Sequence, residues 1–336
     1  MSSTGKPLSS PTTRFSFLAQ PHTSTYKTMG RASDFNPDRD IPSLDGKTIL
    51  ITGGNIGLGR ESALALSKHK PSQLWIAARN AQKADATIAD IKKQAPGVSV
   101  HFLELDLGSF DSIKTAARTF LASVPRLDLL LLNAGVMAVP PGLTKEGYEI
   151  QFGTNHVGHA LFLKFLTPLL IDTATNHSSA PEVRVVFLSS LAHKFTVSSG
   201  INFDTVKTKA EGISTTHRYG QSKLANAAYA RELARRYPQF TTVSVHPGSV
   251  KTDLNQSNGG SIVLRLFQAF VVPIIGVTPQ EGARNQLWAA SAKEVVSGEY
   301  YVPVGVAGKG SAFSKSEEFG KRLWEWTEKE LQGHSA

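Results

Sequence analysis

Tyr219 and Lys223 stand four residues apart in the run Tyr219-Gly220-Gln221-Ser222-Lys223. On a helix, positions i and i+4 share a face, so the ammonium lies beside the phenol or on the path to it. An unperturbed tyrosine titrates near ~10. A cation about 4 Å away, at an effective dielectric of about 20, contributes roughly 4 kcal/mol, or about three pKa units. A phenol so placed is expected to approach neutrality and to serve as a proton donor and acceptor. Solvent screening makes that figure an upper bound, and a surface tyrosine beside a solvated lysine has the same spacing. The pair therefore needs a setting.

The setting begins at Thr52-Gly53-Gly54-Asn55-Ile56-Gly57-Leu58-Gly59-Arg60, which follows a β-branched run and opens a helical pattern. Gly53 permits a tight turn, Gly57 lets backbone approach a pyrophosphate, and Gly59 lets the helix lie close to the strand. The helix N-terminus then faces the phosphates, with Asn55, Ile56 and Leu58 in the same turn. A glycine-rich turn alone is often only a turn; its place between strand and helix gives it weight. The next strand ends at Ala77-Ala78-Arg79, twenty residues past Gly59, where an NAD site places an acid for the ribose hydroxyls. An acid repels a 2′-phosphate, whereas a guanidinium grips one bidentately. Arg79 thus favours NADP(H) over NAD(H), with Arg60 as support; the alternative is a surface arginine at a strand end. Asp106-Leu107 and Asn133-Ala134-Gly135 follow the third and fourth strands, at the carboxyl ends where open α/β sheets build their ligand crevice. Asp106 is placed to accept from an adenine amino group or to cap a helix, and small residues at Ala134 and Gly135 leave room for ribose or simply make a turn.

Elements that position these residues are legible in the pattern. Short β-branched or apolar runs at Thr48 to Thr52, Gln73 to Ala77, Val98 to Leu103, Leu127 to Leu132, Val183 to Leu188 and Thr242 to Val245 alternate with helical stretches. The helices are expected at about Gly59 to Lys68, Ala81 to Gln94, Phe110 to Ser123, Asn155 to Leu170 and Tyr219 to Tyr237. Such alternation predicts a single α/β domain, a Rossmann-type doubly wound parallel sheet with helices on both faces. The nearly unbroken Leu127-Asp128-Leu129-Leu130-Leu131-Leu132 reads as a central strand covered on both sides.

A chain of 336 residues with 40% hydrophobic content can bury such a core. Residues 1 to about 40 are rich in Ser, Thr and Pro, carry no acid before Asp34, and are expected to be a disordered extension. Before Asp34, Lys6, Arg14, Lys27 and Arg31 supply +4 of the net +9, leaving +5 for the rest of the chain, which suits an anionic small ligand. No groove-reading motif accompanies the charge, so nucleic acid is not an expected partner. The absence of cysteine excludes thiol catalysis, disulfides and thiolate metal sites. The apolar stretch Ile262 to Val277 contains Arg265, Gln268 and Pro273 and falls short of the ~20 residues needed to span a bilayer. The expected location is the cytoplasm, with organelle import through residues 1–40 left open.

In this order and at these intervals, Thr52-Gly53-x-x-x-Gly57-x-Gly59, Asn133-Ala134-Gly135, Asn155, Ser189-Ser190, Tyr219-x-x-x-Lys223 and Pro247-Gly248 resemble the short-chain dehydrogenase/reductase family over about Lys47 to Val304. Asn155-His156-Val157-Gly158-His159, Ser189-Ser190-Leu191-Ala192-His193 and the long segment from Ser190 to Tyr219 look most like its retinol-dehydrogenase-like branch. The N-terminal tail and Tyr300-Tyr301-Val302-Pro303-Val304-Gly305 resemble fungal members. The resemblance implies that Tyr219 is the general acid/base, that Ser190 binds the substrate oxygen, and that Lys223 holds the nicotinamide ribose and depresses the phenol pKa. It further implies that Asn155 keeps a water in place for proton relay to Lys223. Residue chemistry agrees in outline, since hydride transfer makes or consumes an alkoxide and two hydroxyls must meet one oxygen. Ser189 and Ser190 alternate along a strand, so one of them faces the cleft, and Ser190 fills the family's catalytic position. Pro247, Gly248 and Val250 close the sixth strand near the nicotinamide, and Thr252 resembles the family residue for the carboxamide or pyrophosphate.

His156, His159, His193 and His246 read as packing or capping residues, and no metal site is expected. The apolar segment about 253–280 is expected to be a lid over a lipophilic carbonyl or alcohol substrate, with core burial and peripheral membrane contact as alternatives. Ser314-Lys315-Ser316-Glu317 resembles a capping box opening a helix about 314–331, with Phe319, Leu323, Trp326 and Glu330 on one side, packed onto the sheet. A monomer or homodimer is expected. The function expected is reduction or oxidation between carbonyl and alcohol, in specialised metabolism or of a retinoid or steroid type; a cofactor-binding redox sensor is the alternative from another class.

Overall fold

The computed structural model describes residues 1, 32–177, 182–250 and 276–335. Seven parallel strands form one sheet in the order β3-β2-β1-β4-β5-β6-β7. They are β1 (Thr48–Thr52), β2 (Gln73–Ala78), β3 (Ser99–Glu104), β4 (Leu129–Leu132), β5 (Arg184–Leu188), β6 (Thr241–Val245) and β7 (Tyr300–Tyr301). The order reverses between β1 and β4, which opens a crevice at the carboxyl ends of the strands. The predicted doubly wound sheet is the fold observed.

The helices are α1 (Pro37–Asp40), α2 (Gly57–Ser67), α3 (Ala81–Gln94), α4 (Phe110–Ser123), α5 (Ile150–Phe152), α6 (Gly158–Asp172), α7 (Thr215–Arg236), α8 (Pro279–Ser291), α9 (Ala312–Lys315) and α10 (Glu317–Glu330). Strand alternation sends Ile49, Ile51, Leu129 and Leu131 into the layer that holds Leu66 of α2, Ile91 of α3 and Leu287 of α8. Leu50, Leu130 and Leu132 point the other way, into the layer built by Phe120 of α4, Leu166 of α6, Leu224 of α7 and Leu323 of α10. Both faces of β1 and β4 are fully buried, which is why these strands read as continuous apolar runs.

Several expectations need correction. Residues 33–40, assigned to a disordered extension, are tied to the fold: Ser33 N donates to Val304 O at 2.9 Å, and the Arg284 guanidinium bonds the carbonyl of buried Phe35. The expected lid at 253–280 lies largely outside the described residues. Its last part is the approach to α8, whose Thr278 and Glu281 form a capping box; Val277 pairs with the cleft residue Val250, and Pro279 lines the cleft. The C-terminal helix breaks at Ser316, whose hydroxyl accepts from Phe319 N at 3.2 Å, so Ser314 belongs to the preceding α9. That helix packs on α7, with Trp324 stacked on Tyr229 at 4.8 Å and Arg236 over the same indole at 4.6 Å, and not on the sheet. The stretch Ile150–His177 is long and apolar enough to cross a membrane, but 67% of its most apolar window is buried inside the fold, the ordinary condition of a core helix.

Candidate active site

Every parallel strand from β1 to β6 delivers residues to one cleft of about 640 Å³. The turn after β1 contributes Gly53, Asn55, Ile56, Gly57 and Leu58. Gly53 adopts φ +67°, and a Cβ on Gly59 would sit 2.2 Å from the Gly53 carbonyl, so both positions need glycine. Gly59 therefore acts beneath the turn and does not line the cleft. Thr87 Oγ1 donates to Asn55 O at 3.1 Å and ties the turn to α3.

Arg79 at the end of β2 lines the cleft, exposed. Arg60 does not: its guanidinium pairs with Glu61 at 2.6 Å and with Asp90 at 2.7 Å, turned away towards α3. The expected support from Arg60 is thereby corrected, and the second cation is Lys83, in the first turn of α3. Asn80 caps that helix by accepting from Lys83 N at 2.7 Å, a local cap that places Lys83 in the first turn after Arg79. Asp106 and Leu107 line the adjoining wall, with Asp106 Oδ1 accepting from Gly108 N at 2.9 Å; the N-cap of α4 is Ser109.

Asn133, Ala134 and Gly135 follow β4 into the cleft. Asn133 Nδ2 donates to Thr52 O at 3.0 Å, while its buried Oδ1 has no partner within the chain. An orphaned acceptor and a glycine cradle at a helix N-terminus suit a nicotinamide dinucleotide, and Arg79 after β2 and Lys83 in α3 line the same cleft.

Ser190 caps the short 3₁₀ turn Leu191–Lys194, accepting from Ala192 N at 3.2 Å, and it lines the same cleft as Tyr219, near enough for its hydroxyl to lower the phenol pKa. Ser189 faces away from that phenol and donates to Lys223 O at 2.7 Å, so the pair of serines is divided as strand alternation requires. Tyr219 and Lys223 occupy one face of α7, with Lys223 Nζ 5.7 Å from the phenol ring centroid and donating to Leu188 O at 2.9 Å. Both are buried, and burial decides their titration. The phenol is pushed up to about 12, partly offset by the Ser190 hydrogen bond, and the amine is pushed down to about 7. The expected depression of the phenol by Lys223 is thus not seen in the cofactor-free fold: burial is the largest influence on the phenol, and the amine, half neutral near pH 7, does not offset it.

Asn155 does not line the cleft. It sits fully buried in a π-helical turn, Gly153–Val157, between α5 and α6. Its side chain accepts from Val136 N at 2.8 Å and donates to Val136 O and Ser222 Oγ, both at 2.9 Å. Pro247, Gly248 and Val250 close the far wall with His246, which the sequence reading had assigned to packing. Burial pushes His246 down to about 4, and its Nδ1 accepts from Leu191 N at 3.3 Å. Thr252 lies outside the described residues. His193 is buried behind Ser190, bonding Ser190 O at 2.7 Å and accepting from Ser311 N at 3.0 Å. Among the described residues, no group of three His, Asp or Glu side chains is placed to hold a metal ion.

A family model described as short chain dehydrogenase matches residues 47–261. The short-chain dehydrogenase/reductase drtF of Aspergillus calidoustus is 34% identical over 310 residues, covering 87% of this chain and 96% of that protein. Retinol dehydrogenase 13 of Homo sapiens is 35% identical over 289 residues, covering 84% of this chain and 83% of its own. A crystal structure of a Mycobacterium paratuberculosis protein superposes with a TM-score of 0.65 at 28% identity, over 86% of this chain and 95% of that one.

Proposed function

Because this chain belongs to the short-chain dehydrogenase/reductase family, in its retinol-dehydrogenase-like branch, we propose that it is an NADP(H)-dependent oxidoreductase interconverting a ketone or aldehyde with an alcohol on a lipophilic small molecule. The observation that carries this reading is that Ser190, Tyr219 and Lys223 line the same cleft as the glycine turn. When bound, the nicotinamide cofactor supplies or accepts hydride, and its phosphates bring negative charge that favours the ammonium form of Lys223.

In the reducing direction the Ser190 and Tyr219 hydroxyls hold the carbonyl oxygen, and Tyr219 gives its proton as that oxygen gains charge. A phenol that titrates near 12 keeps its proton at neutral pH and is ready to donate. Lys223, once charged, lowers the cost of the tyrosinate that remains and holds the ribose. Oxidation of an alcohol runs the same transfers in reverse. Asn155 fixes the strand end through Val136, and its proposed part in proton relay is indirect. Arg79 and Lys83 support NADP(H), because cations just after β2 and in the first turn of α3 favour a 2′-phosphate that an acid there would repel. Likeness to fungal members supports a substrate from specialised metabolism.

The test is a panel of lipophilic carbonyls with NADPH, on the parent and on Tyr219→Phe. Turnover is expected in the parent and is expected to be lost in Tyr219→Phe, with NADPH affinity nearly unchanged. Turnover in Tyr219→Phe within about tenfold of the parent would remove Tyr219 from its role. A parent that binds NADPH but oxidises it on no carbonyl would favour the redox-sensor reading.

A further inference from the structure

His159 is fully buried on α6, one turn beyond the π-helical turn that carries Asn155, and its two ring nitrogens reach two different parts of the site. Nδ1 lies 3.0 Å from Asn155 O, and Nε2 lies 2.9 Å from Thr52 Oγ1 at the end of β1. A carbonyl only accepts, so Nδ1 carries the proton and, in the neutral ring, Nε2 accepts the Thr52 hydroxyl proton. The lone pairs of Thr52 Oγ1 are then filled by Asn133 N and Ala134 N, each donating at 3.0 Å. The approach of Thr52 Oγ1 to Leu131 O, at 3.3 Å, is the longer of its two options as donor. With its acceptor capacity used, Thr52 leaves no place for a second ring proton. Burial and the nearby Lys223 work in the same direction, holding His159 down to about 4.

The hydrogen bonds continue in one direction. Asn155 Nδ2 donates to Ser222 Oγ at 2.9 Å, and Ser222 Oγ donates to Tyr219 O at 2.8 Å. Two runs of donors thus meet at Asn155: one from the Asn133 amide through Thr52 and His159 to its backbone carbonyl, the other from its side-chain amide through Ser222 to the backbone of Tyr219. Aligned hydrogen bonds in a low-dielectric interior polarise one another, and a fully satisfied network fixes the relative placement of its ends.

We propose that His159 is a positioning residue that holds two parts of the site in register: its Nε2 fixes the root of the dinucleotide turn through Thr52, and its Nδ1 fixes the Asn155–Ser222–Tyr219 face. The proposal rests on the oxidoreductase reading for its kinetic arm only; its binding and spectroscopic arms need no turnover. The two ring nitrogens can be separated by substitution. Asn places an amide nitrogen where Nδ1 stands, and Gln places an amide oxygen near Nε2.

His159→Asn is expected to keep kcat within about threefold while NADPH Kd weakens about tenfold; His159→Gln is expected to keep Kd and lose about tenfold in kcat. Thr52→Val, which removes the hydroxyl from the other side, is expected to match His159→Asn. Equal losses in kcat and affinity in both His159 variants, following a common fall in thermal stability, would reduce the residue to a packing role and overturn the proposal. So would wild-type values in both. A parent with no turnover on any carbonyl would defeat the oxidoreductase reading and leave the Kd contrast to decide this one. Independently of any variant's folding, ¹⁵N resonances of the assigned His159 ring in the parent should report the neutral Nδ1–H tautomer from pH 5 to 8. A protonated ring or the Nε2–H tautomer in that range would overturn the proposal.

Discussion

Lys223 Nζ donates to the carbonyl of Leu188 at 2.9 Å, at the last residue of β5, and Asn226 Nδ2 shares that carbonyl at 3.2 Å. Burial of the amine at this point favours its neutral form in the absence of cofactor. Between about 7 in the fold and 10.5 when unfolded, the folded chain binds fewer protons than the unfolded one. Stability from this group therefore rises with pH across that window, and the penalty is complete below pH 7, at most about 5 kcal/mol. Lys223→Met is expected to be more stable than the parent at pH 7 without cofactor, with the gap closing by pH 10. Urea unfolding at both values decides; a parent as stable as the variant at pH 7 contradicts the assignment.

The same amine gives cofactor binding a pH dependence. Above about pH 7 the free protein must take up a proton to present an ammonium to an anionic ligand. From pH 7 to 9, where a 2′-phosphate titrating near ~6 is fully charged, NADPH Kd is expected to rise by up to about tenfold per unit. Titration calorimetry in buffers of different ionisation enthalpy should show proton uptake in the parent. Lys223→Met should show a flat profile.

Arg79 and Lys83 make a separable prediction. Loss of charge-assisted bonds to a phosphate costs about 1.5–3 kcal/mol, so Arg79→Ala is expected to weaken NADPH about ten- to a hundredfold. NADH binding should move less than about threefold, and Lys83→Ala should give a smaller change with the same selectivity. An NADH preference in the parent that survives Arg79→Ala would refute NADP(H) as the cofactor.

Beside Tyr219, Arg218 pairs with Glu149 at 3.1 Å, both side chains only 3% exposed, and Glu149 also accepts from Gln151 N at 3.0 Å and Phe152 N at 2.7 Å. Arg218→Met leaves a carboxylate buried without its cation, an expected loss of about 3–5 kcal/mol. Pairing it with Glu149→Gln should recover part of that loss, a non-additivity read by urea unfolding of the single and double variants. Strictly additive losses would show that the two side chains do not act as a unit.

Local spacing explains what the sequence revealed. The glycine turn, the strand ends and the Tyr219/Lys223 pair are each set within a few residues, and α3 and α4 fall on the predicted bounds because their caps and apolar faces are local. The edge strand β7 has two residues, too few for any alternation to register. Nothing in a continuous helical pattern marks the π-helical turn at Asn155, whose geometry depends on the contact with Val136. Arg60 was misjudged because its partner Asp90 is thirty residues away, and the phenol because burial, a tertiary property, outweighs a neighbouring cation. The capping box at Thr278 and Glu281 is set within four residues and is legible in the sequence.

The order in which the chain is made adds a consequence to the packing of α10. Thr327, Glu328 and Glu330 fasten this helix to His156, Lys164 and Tyr148, partners more than 160 residues earlier. Every described residue of the cleft precedes position 280. A ribosome therefore completes the cofactor cradle while the outer face of α7, with Tyr229, is still bare. During that interval the nascent chain offers an apolar flank to chaperones or to other unfinished copies. A premature stop before Glu317 would release a protein with its cleft residues all present and its flank permanently open.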